Sequence, residues 1–170
     1  MSESRLRVFR GRDATALGPE TMGSGPMSDE VRAGLGRLAE AGVVAGKGEK
    51  NLLLFGKPGE AGPSLVYIWF KSGYVLPPHS HDGDCLYYIL AGSLRIGKDL
   101  LGKGDGLFVS ANTAYAYEAG PEGVELLEFR NATQFNISLM GGREGAWDRM
   151  ITAFRDNAEA WRDEQPPSAR

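Results

Sequence analysis

Between Asn51 and Ser138 the chain is a succession of short apolar runs punctuated by glycine and proline, and this spacing constrains the fold more than any other feature. Runs rich in Leu, Val, Ile, Tyr and Phe occupy 51–55, 65–71, 85–91, 93–96, 106–110, 115–118, 124–130 and 134–138. Segments this short, bounded by turn residues, have the length of strands and not of helices. Packed so closely, they leave no room for helical crossovers, so the pattern predicts an all-β sandwich or barrel instead of βαβ units. Glycine makes up 24 of the 170 residues, about twice the usual ~7%, and supplies the many tight turns such a fold needs.

The flanks read differently. Leu6–Arg10 reads as one further strand and Gly18–Pro26 as a connection. Ser28–Ala41 reads as a short helix: Ser28 caps it, Asp29 and Glu30 favour its first turn, Val31, Leu35, Leu38 and Ala39 recur at helical spacing, and Gly42 stops it. After Gly141 and Gly142, the residues Trp147, Met150, Ile151, Phe154, Ala158 and Trp161 line one face of a second, amphipathic helix that ends before Pro166 and Pro167. That stripe either packs on the outside of the β core or, with two tryptophans, anchors a homodimer. The expected organisation is a single domain: arm and short helix over 1–50, barrel over 51–140, helix and tail over 141–170, with the tail Gln165–Arg170 frayed.

Composition excludes several classes of function. Nineteen Lys and Arg against 22 Asp and Glu give a net charge of −3, so there is no basic excess to meet a nucleic-acid backbone. The apolar runs are far too short to span a bilayer. Met1–Arg12 lacks the apolar core and cleavage site of a signal peptide. A single cysteine forms no internal disulfide, and a reducing cytoplasm fits it better than secretion.

Both histidines lie together, as His79-Ser80-His81. In an extended segment residues i and i+2 point to the same face, about 7 Å apart at the backbone, so two imidazoles can converge on one divalent ion. Pro77 and Pro78 stiffen the approach and favour an extended conformation. No nucleophilic triad can be assembled once both histidines are used here.

The stretch Gly73-Tyr-Val-Leu-Pro-Pro-His79-Ser-His81-Asp-Gly-Asp-Cys85-Leu-Tyr-Tyr-Ile-Leu-Ala-Gly92 resembles the first motif of the cupin superfamily: a Gly, five residues, His-x-His, three or four residues, Glu, six residues, Gly. Gly104-Asp-Gly-Leu-Phe-Val-Ser110-Ala-Asn112-Thr-Ala-Tyr115 matches the spacing of the second motif, in which the turn is Pro-x-Gly and the last residue is His. The resemblance covers about Asn51–Ser138. It implies a jelly-roll, or RmlC-like double-stranded β-helix, barrel with a metal or ligand site inside its mouth. In the family the two His of the first motif, its Glu and the His of the second motif ligate the metal. His79 and His81 carry over, but Cys85 stands at the Glu position and Tyr115 at that of the third His. Ser110 and Asn112 replace the Pro and Gly of the turn, where Asn tolerates a left-handed conformation.

Three outcomes stay open. Cys85 can supply a thiolate, making a His2Cys set with an open position, a catalytic arrangement for zinc. Asp84 or Asp82 can complete a two-His-one-carboxylate triad suited to Fe(II) or Mn(II), if a loop turns it inward. Or Cys85 is a small buried hydrophobe and no ion binds. Tyr115 can ligate, bond a metal-bound water or act as an acid/base partner. Tyr67 and Trp69 share one face of their strand, Tyr87 shares the face of Cys85, and Tyr117 that of Tyr115; together they are expected to line a pocket for a small organic molecule, or else simply to fill the barrel. Glu118, Glu125 and Glu128 read as surface or rim charges, and Arg95 and Arg130 as possible contacts for an anionic substrate. The functional expectation is a metal-dependent cupin acting on a small molecule by dioxygenase, isomerase or lyase chemistry. Its rival is a metal-free, non-catalytic binding or sensor cupin.

Overall fold

The computed structural model describes residues 6–43, 47–141 and 145–170. Its strands are β1 (Thr15–Ala16), β2 (Met22–Ser24), β3 (Glu49–Phe55), β4 (Ser64–Phe70), β5 (Val75–His81), β6 (Cys85–Ile96), β7 (Asp99–Gly102), β8 (Gly106–Val109), β9 (Tyr115–Arg130) and β10 (Phe135–Leu139); its α-helices are α1 (Asp29–Glu40) and α2 (Ala146–Asn157). The strands form a single curled sheet in the order β1-β3-β4-β9-β5-β10-β2, with β6 on β9 and both β7 and β8 on β6. Pairing is antiparallel except where β10 runs parallel to β2. The fold is all-β apart from the flanking helices, as the spacing of apolar runs predicts.

Two pairs of expected strands merge. Runs 85–91 and 93–96 are one strand, β6, which bends at Gly92; there φ is +75° and a Cβ would sit 2.1 Å from the Gly123 carbonyl. Runs 115–118 and 124–130 likewise join as β9 across Gly120–Gly123, and the register with β6 shifts near the same place. The segment of the paired histidines, expected to be extended but not counted among the apolar runs, is the strand β5, prolines included. They fall between Leu76 and His79, where the ladder with β9 is interrupted, so their missing N–H groups cost no sheet bond there.

The N-terminal arm differs from expectation. Leu6–Arg10 forms no strand; Phe9 rests on Phe55 with ring centroids 5.8 Å apart. The chain pairs later instead, with β1 on β3 and β2 on β10, so the connection read as a linker is stitched into the sheet.

Helix α1 begins at the expected cap, with Ser28 Oγ accepting from Val31 N at 3.2 Å. It packs against α2 at Gly34, where a Cβ would lie 2.1 Å from the Trp147 ring. The stripe on α2 turns inward: Trp147, Met150, Ile151 and Phe154 are buried, and Trp161, in a following 3-10 turn, is 1% exposed. Trp161 packs on Phe154 and Tyr74 and donates from Nε1 to the Ser72 carbonyl at 2.9 Å. Both tryptophans are therefore spent inside the chain and cannot anchor a partner. The tail is docked, not frayed: Glu164 accepts from Ser72 N and Oγ, and Ser168 N donates to Glu125 at 2.6 Å. Exposed apolar side chains lie elsewhere, at Leu86, Tyr88, Phe108 and Phe129 on neighbouring strands. Among the described residues no helix is long and apolar enough to cross a membrane.

The α1–α2 contact makes a paired prediction. Gly34→Ala should lower stability by about 1–3 kcal/mol through overpacking against Trp147. Gly36→Ala, whose added Cβ meets nothing within 4 Å, should raise it by about 0.5–1 kcal/mol through helix propensity. Urea unfolding measures both; stabilisation by both would mean that the indole is not seated on α1.

Candidate functional site

Strand alternation on β5, β6 and β9 delivers a polar cluster to the interior. His79 and His81 leave β5 on the same face, buried, with ring centroids 5.1 Å apart. His79 Nδ1 lies 2.9 Å from the Pro77 carbonyl, and His81 Nδ1 2.9 Å from that of Asn136. A carbonyl can only accept, so each Nδ1 carries the proton and each Nε2 keeps its lone pair. That is the tautomer a metal-ligating imidazole needs. The turn before β9 is pinned to the same strand: Asn112 takes a φ of +61° and its N–H donates to the His81 carbonyl at 2.6 Å.

From β6 come Cys85 and Tyr87; from β9 come Tyr115, Tyr117, Glu128 and Arg130, all buried. Cys85 is opposite Arg130 in register and Tyr87 opposite Glu128. Tyr87 donates to Glu128 Oε1 at 2.9 Å, so its oxygen accepts from the Tyr115 hydroxyl 2.5 Å away. Arg130 pairs through Nη2 with the same Oε1 and lays its guanidinium 3.8 Å over the Phe135 ring. Both contacts end on Oε1.

Among the described residues, the group of potential ligands that converges is His81, Cys85 and Glu128, whose donor atoms all lie within 4.8 Å of one another. Tetrahedral zinc with bonds of 2.0–2.3 Å needs donor separations of roughly 3.3–3.8 Å, so a modest closure suffices. His79 is outside this group, between His81 and Tyr115, with its ring centroid 4.3 Å from that of Tyr115. The carboxylate is not the expected one. Asp82 is occupied by the N–H and amide of Asn136, and Asp84 by Ala111 N, so both tie loops together outside the cluster.

The aromatic residues divide. Tyr87 and Tyr117 line an interior cavity of about 50 Å³ together with His79, His81 and Glu128. Tyr67 and Trp69 do not: Ile68 and Phe70 take the cavity side of β4. Tyr67 instead donates to Glu125 at 2.6 Å on the other face, and Trp69 lies under the Lys71 ammonium. The C-terminal tail covers that face, which is why its rings are half-buried or buried without lining a pocket. A wider cleft of about 310 Å³ lies outside the barrel between β5 and α2, and Arg95 is on its wall.

Glu125 and Glu128, read as surface or rim charges, and Arg130, read as a contact for an anionic substrate, are all inside the fold. Their signal was parity: Glu128 and Arg130 share the alternation of the apolar Val124 and Leu126.

Burial dominates the electrostatics. It pushes the imidazole of His79 down to about 4, with the Arg130 charge adding to the effect, and that of His81 down to about 3, helped by Arg130 and His79. Burial and the neighbouring Glu128 push the Cys85 thiol up to about 12. Burial first, then Glu128, raises Tyr115 as well, so its hydroxyl is a donor and not a phenolate. For Arg130 burial works against the charge, but Glu128 outweighs it and the guanidinium stays ionised.

No family model matches the sequence, and no curated protein matches it. Solved structures do. The polyketide cyclase RemF from Streptomyces resistomycificus is 18% identical over 63% of this chain and 84% of its own, with a TM-score of 0.51. An RmlC-like cupin from Shewanella frigidimarina is 23% identical over 51% and 78%, with a TM-score of 0.45, and KdgF from a Halomonas species is 20% identical over 52% and 83%, also at 0.45. The chain has a cupin fold. At these identities the likeness concerns architecture alone, and the cupin barrel hosts many chemistries.

In this barrel the depressed imidazoles set a pH dependence. Above about pH 6.5 both histidines are neutral whether folded or unfolded; below it the unfolded chain takes up protons that the native barrel refuses, so stability falls on acidification. For the metal-free protein each histidine should contribute a slope of about 1.4 kcal/mol per pH unit between ~6.5 and its native value. Urea midpoints across that range should fall, and His81→Gln should flatten the dependence. A wild-type profile that stays level as pH drops from 6 to 5 (roughly the middle of that window) would contradict buried neutral imidazoles.

Proposed function

We propose that this cupin binds a divalent cation inside the barrel and uses it on a small organic molecule. The observation that carries the reading is the convergence of His81, Cys85 and Glu128 from three strands, with the Nε2 lone pairs of His81 and its neighbour His79 unprotonated. His79 is the fourth ligand or holds the group that occupies the open position. A thiolate in the set favours zinc; Fe(II) or Mn(II) would lean on the imidazoles and Glu128. When bound, the cation supplies Lewis acidity and a lowered pKa for a bound water or substrate oxygen.

The chain's own groups do the rest. Cys85 must give up its thiol proton to ligate, and with the thiol held near 12, uptake releases a proton and weakens as pH falls. Tyr115, kept protonated, donates to Tyr87, which passes the hydroxyl chain on to Glu128, and the Tyr115 oxygen is left to accept a hydrogen bond from substrate or from a bound water. Tyr117 and Phe70 line the cavity beside the histidines. A reducing cytoplasm would keep Cys85 available for this role.

A second reading is a metal-free binding or sensor cupin. It is favoured by the charge balance of the interior as it stands, since Glu128 is already neutralised by Arg130 and Cys85 keeps its proton. Thermal stability with and without zinc separates the two: stabilisation that EDTA reverses supports the cation.

The working form is a homodimer on this reading. The face to be covered is the apolar row that includes Phe108, which is 62% exposed. Sedimentation as a monomer at micromolar concentration removes that part.

Equilibrium dialysis followed by metal analysis tests the site. Wild type should hold one zinc per chain at neutral pH; His81→Ala, Cys85→Ser and Glu128→Gln should each weaken it by at least about tenfold. If His79→Ala/His81→Ala retains as much metal as wild type, the proposal is wrong.

A further inference from the structure

We propose that the barrel interior also takes a small monoanion, a carboxylate or an enolate, on the unpaired donors of Arg130. The inference rests on the cation reading above and specifies the substrate class of that site.

Arg130 is 1% exposed, yet its Nε and Nη1 have no hydrogen-bond partner; only Nη2 is used, on Glu128. Buried N–H donors are nearly always satisfied, and an orphaned guanidinium is costly to keep unless something else completes it. One face of the group is closed by Phe135. Its charge is felt by His79, His81, Cys85 and Tyr115, so it stands within the ligand cluster.

Charge gives the same answer. A divalent cation is balanced by the Cys85 thiolate and Glu128, and Glu128 can then no longer neutralise Arg130. One positive charge is left over in a dry interior, where it needs an anion. Glu49, the other carboxylate on the cavity wall, is engaged by the Asn51 amide and Tyr74 on the β3 side. Glu128, the partner of Arg130, is on the wall of the adjoining cavity of about 50 Å³, and that volume limits the size of what can reach the pair. A water needs about 10–15 Å³ by such a measure, so a carboxylate head fits and a sugar ring does not. A larger substrate would place only its anionic end inside.

Sodium acetate is the probe, with ionic strength matched by sodium chloride, on the full chain with and without zinc. Calorimetry and thermal unfolding should show saturable acetate binding to the zinc-loaded protein, at least about tenfold tighter than to the metal-free protein. Arg130→Met should abolish that binding while zinc uptake per chain persists. Since this variant strands Glu128 and can fail to fold, Arg130→Lys is the second: it keeps the charge but loses the guanidinium donors, and acetate should again weaken at least about tenfold. Zinc-loaded wild type that ignores acetate overturns the inference and leaves the cation site standing. Acetate binding unchanged in the Arg130 variants overturns it too. A chain that takes no zinc overturns the cation reading instead, and Arg130-dependent acetate binding without metal would still support the anion site.

Discussion

Inside the barrel a carboxylate and a guanidinium face each other out of water, and the rest of the interior is arranged around that contact. Removing Glu128 and Arg130 from solvent costs several kcal/mol for each ion, an expense met only when each has partners. Glu128 has them: Arg130 on one side and the relay from Tyr115 through Tyr87 on the other. The pair then sets the behaviour of its neighbours. Arg130 disfavours protonated imidazoles at His79 and His81, and Glu128 helps keep the proton on Cys85. Without a bound cation, the histidines are held neutral, the thiol keeps its proton and the carboxylate is neutralised by Arg130.

The scaffold explains why that group can be held in place. Proline interrupts the β5–β9 ladder without leaving an orphaned N–H, and the two imidazoles are fixed by backbone carbonyls on either side. Asn112 supplies the left-handed residue that closes the turn before β9 and ties it to His81. On the outside, α1, α2 and the C-terminal tail cover much of the sheet, while Leu86, Phe108 and Phe129 stay exposed. Around Glu128 the usual distribution is inverted: charge faces the interior and Phe129, its neighbour in sequence, faces solvent.

That inversion marks where the sequence was legible and where it was not. The capped helix at Ser28, the inward stripe from Trp147 to Phe154 and the paired histidines follow from local spacing and are where it puts them. The helix stops at Asn157, however, so Ala158 is exposed and Trp161 is buried from a separate 3-10 turn. Glu128 and Arg130 were hidden because charged residues in a strand are normally given to the surface. Their parity with Val124 and Leu126 argued otherwise, but Leu127 and Phe129 offer a rival apolar face on the opposite parity of the same run. Tyr67 and Trp69 were assigned to the pocket as polar-tipped rings, when the plainer Ile68 and Phe70 face it. The carboxylate was sought in the loop beside the histidines, whereas register with β6 brings it from a strand more than 40 residues later.

In the proposed metal centre, ligation by the Cys85 sulfur and by Glu128 in particular is what the cupin resemblance does not supply. X-ray absorption at the zinc edge of the metal-loaded protein tests this most directly. It should show one sulfur at about 2.3 Å with nitrogen and oxygen at about 2.0–2.2 Å, in four-coordinate geometry. A shell of nitrogen and oxygen alone would contradict a metal centre built on Cys85.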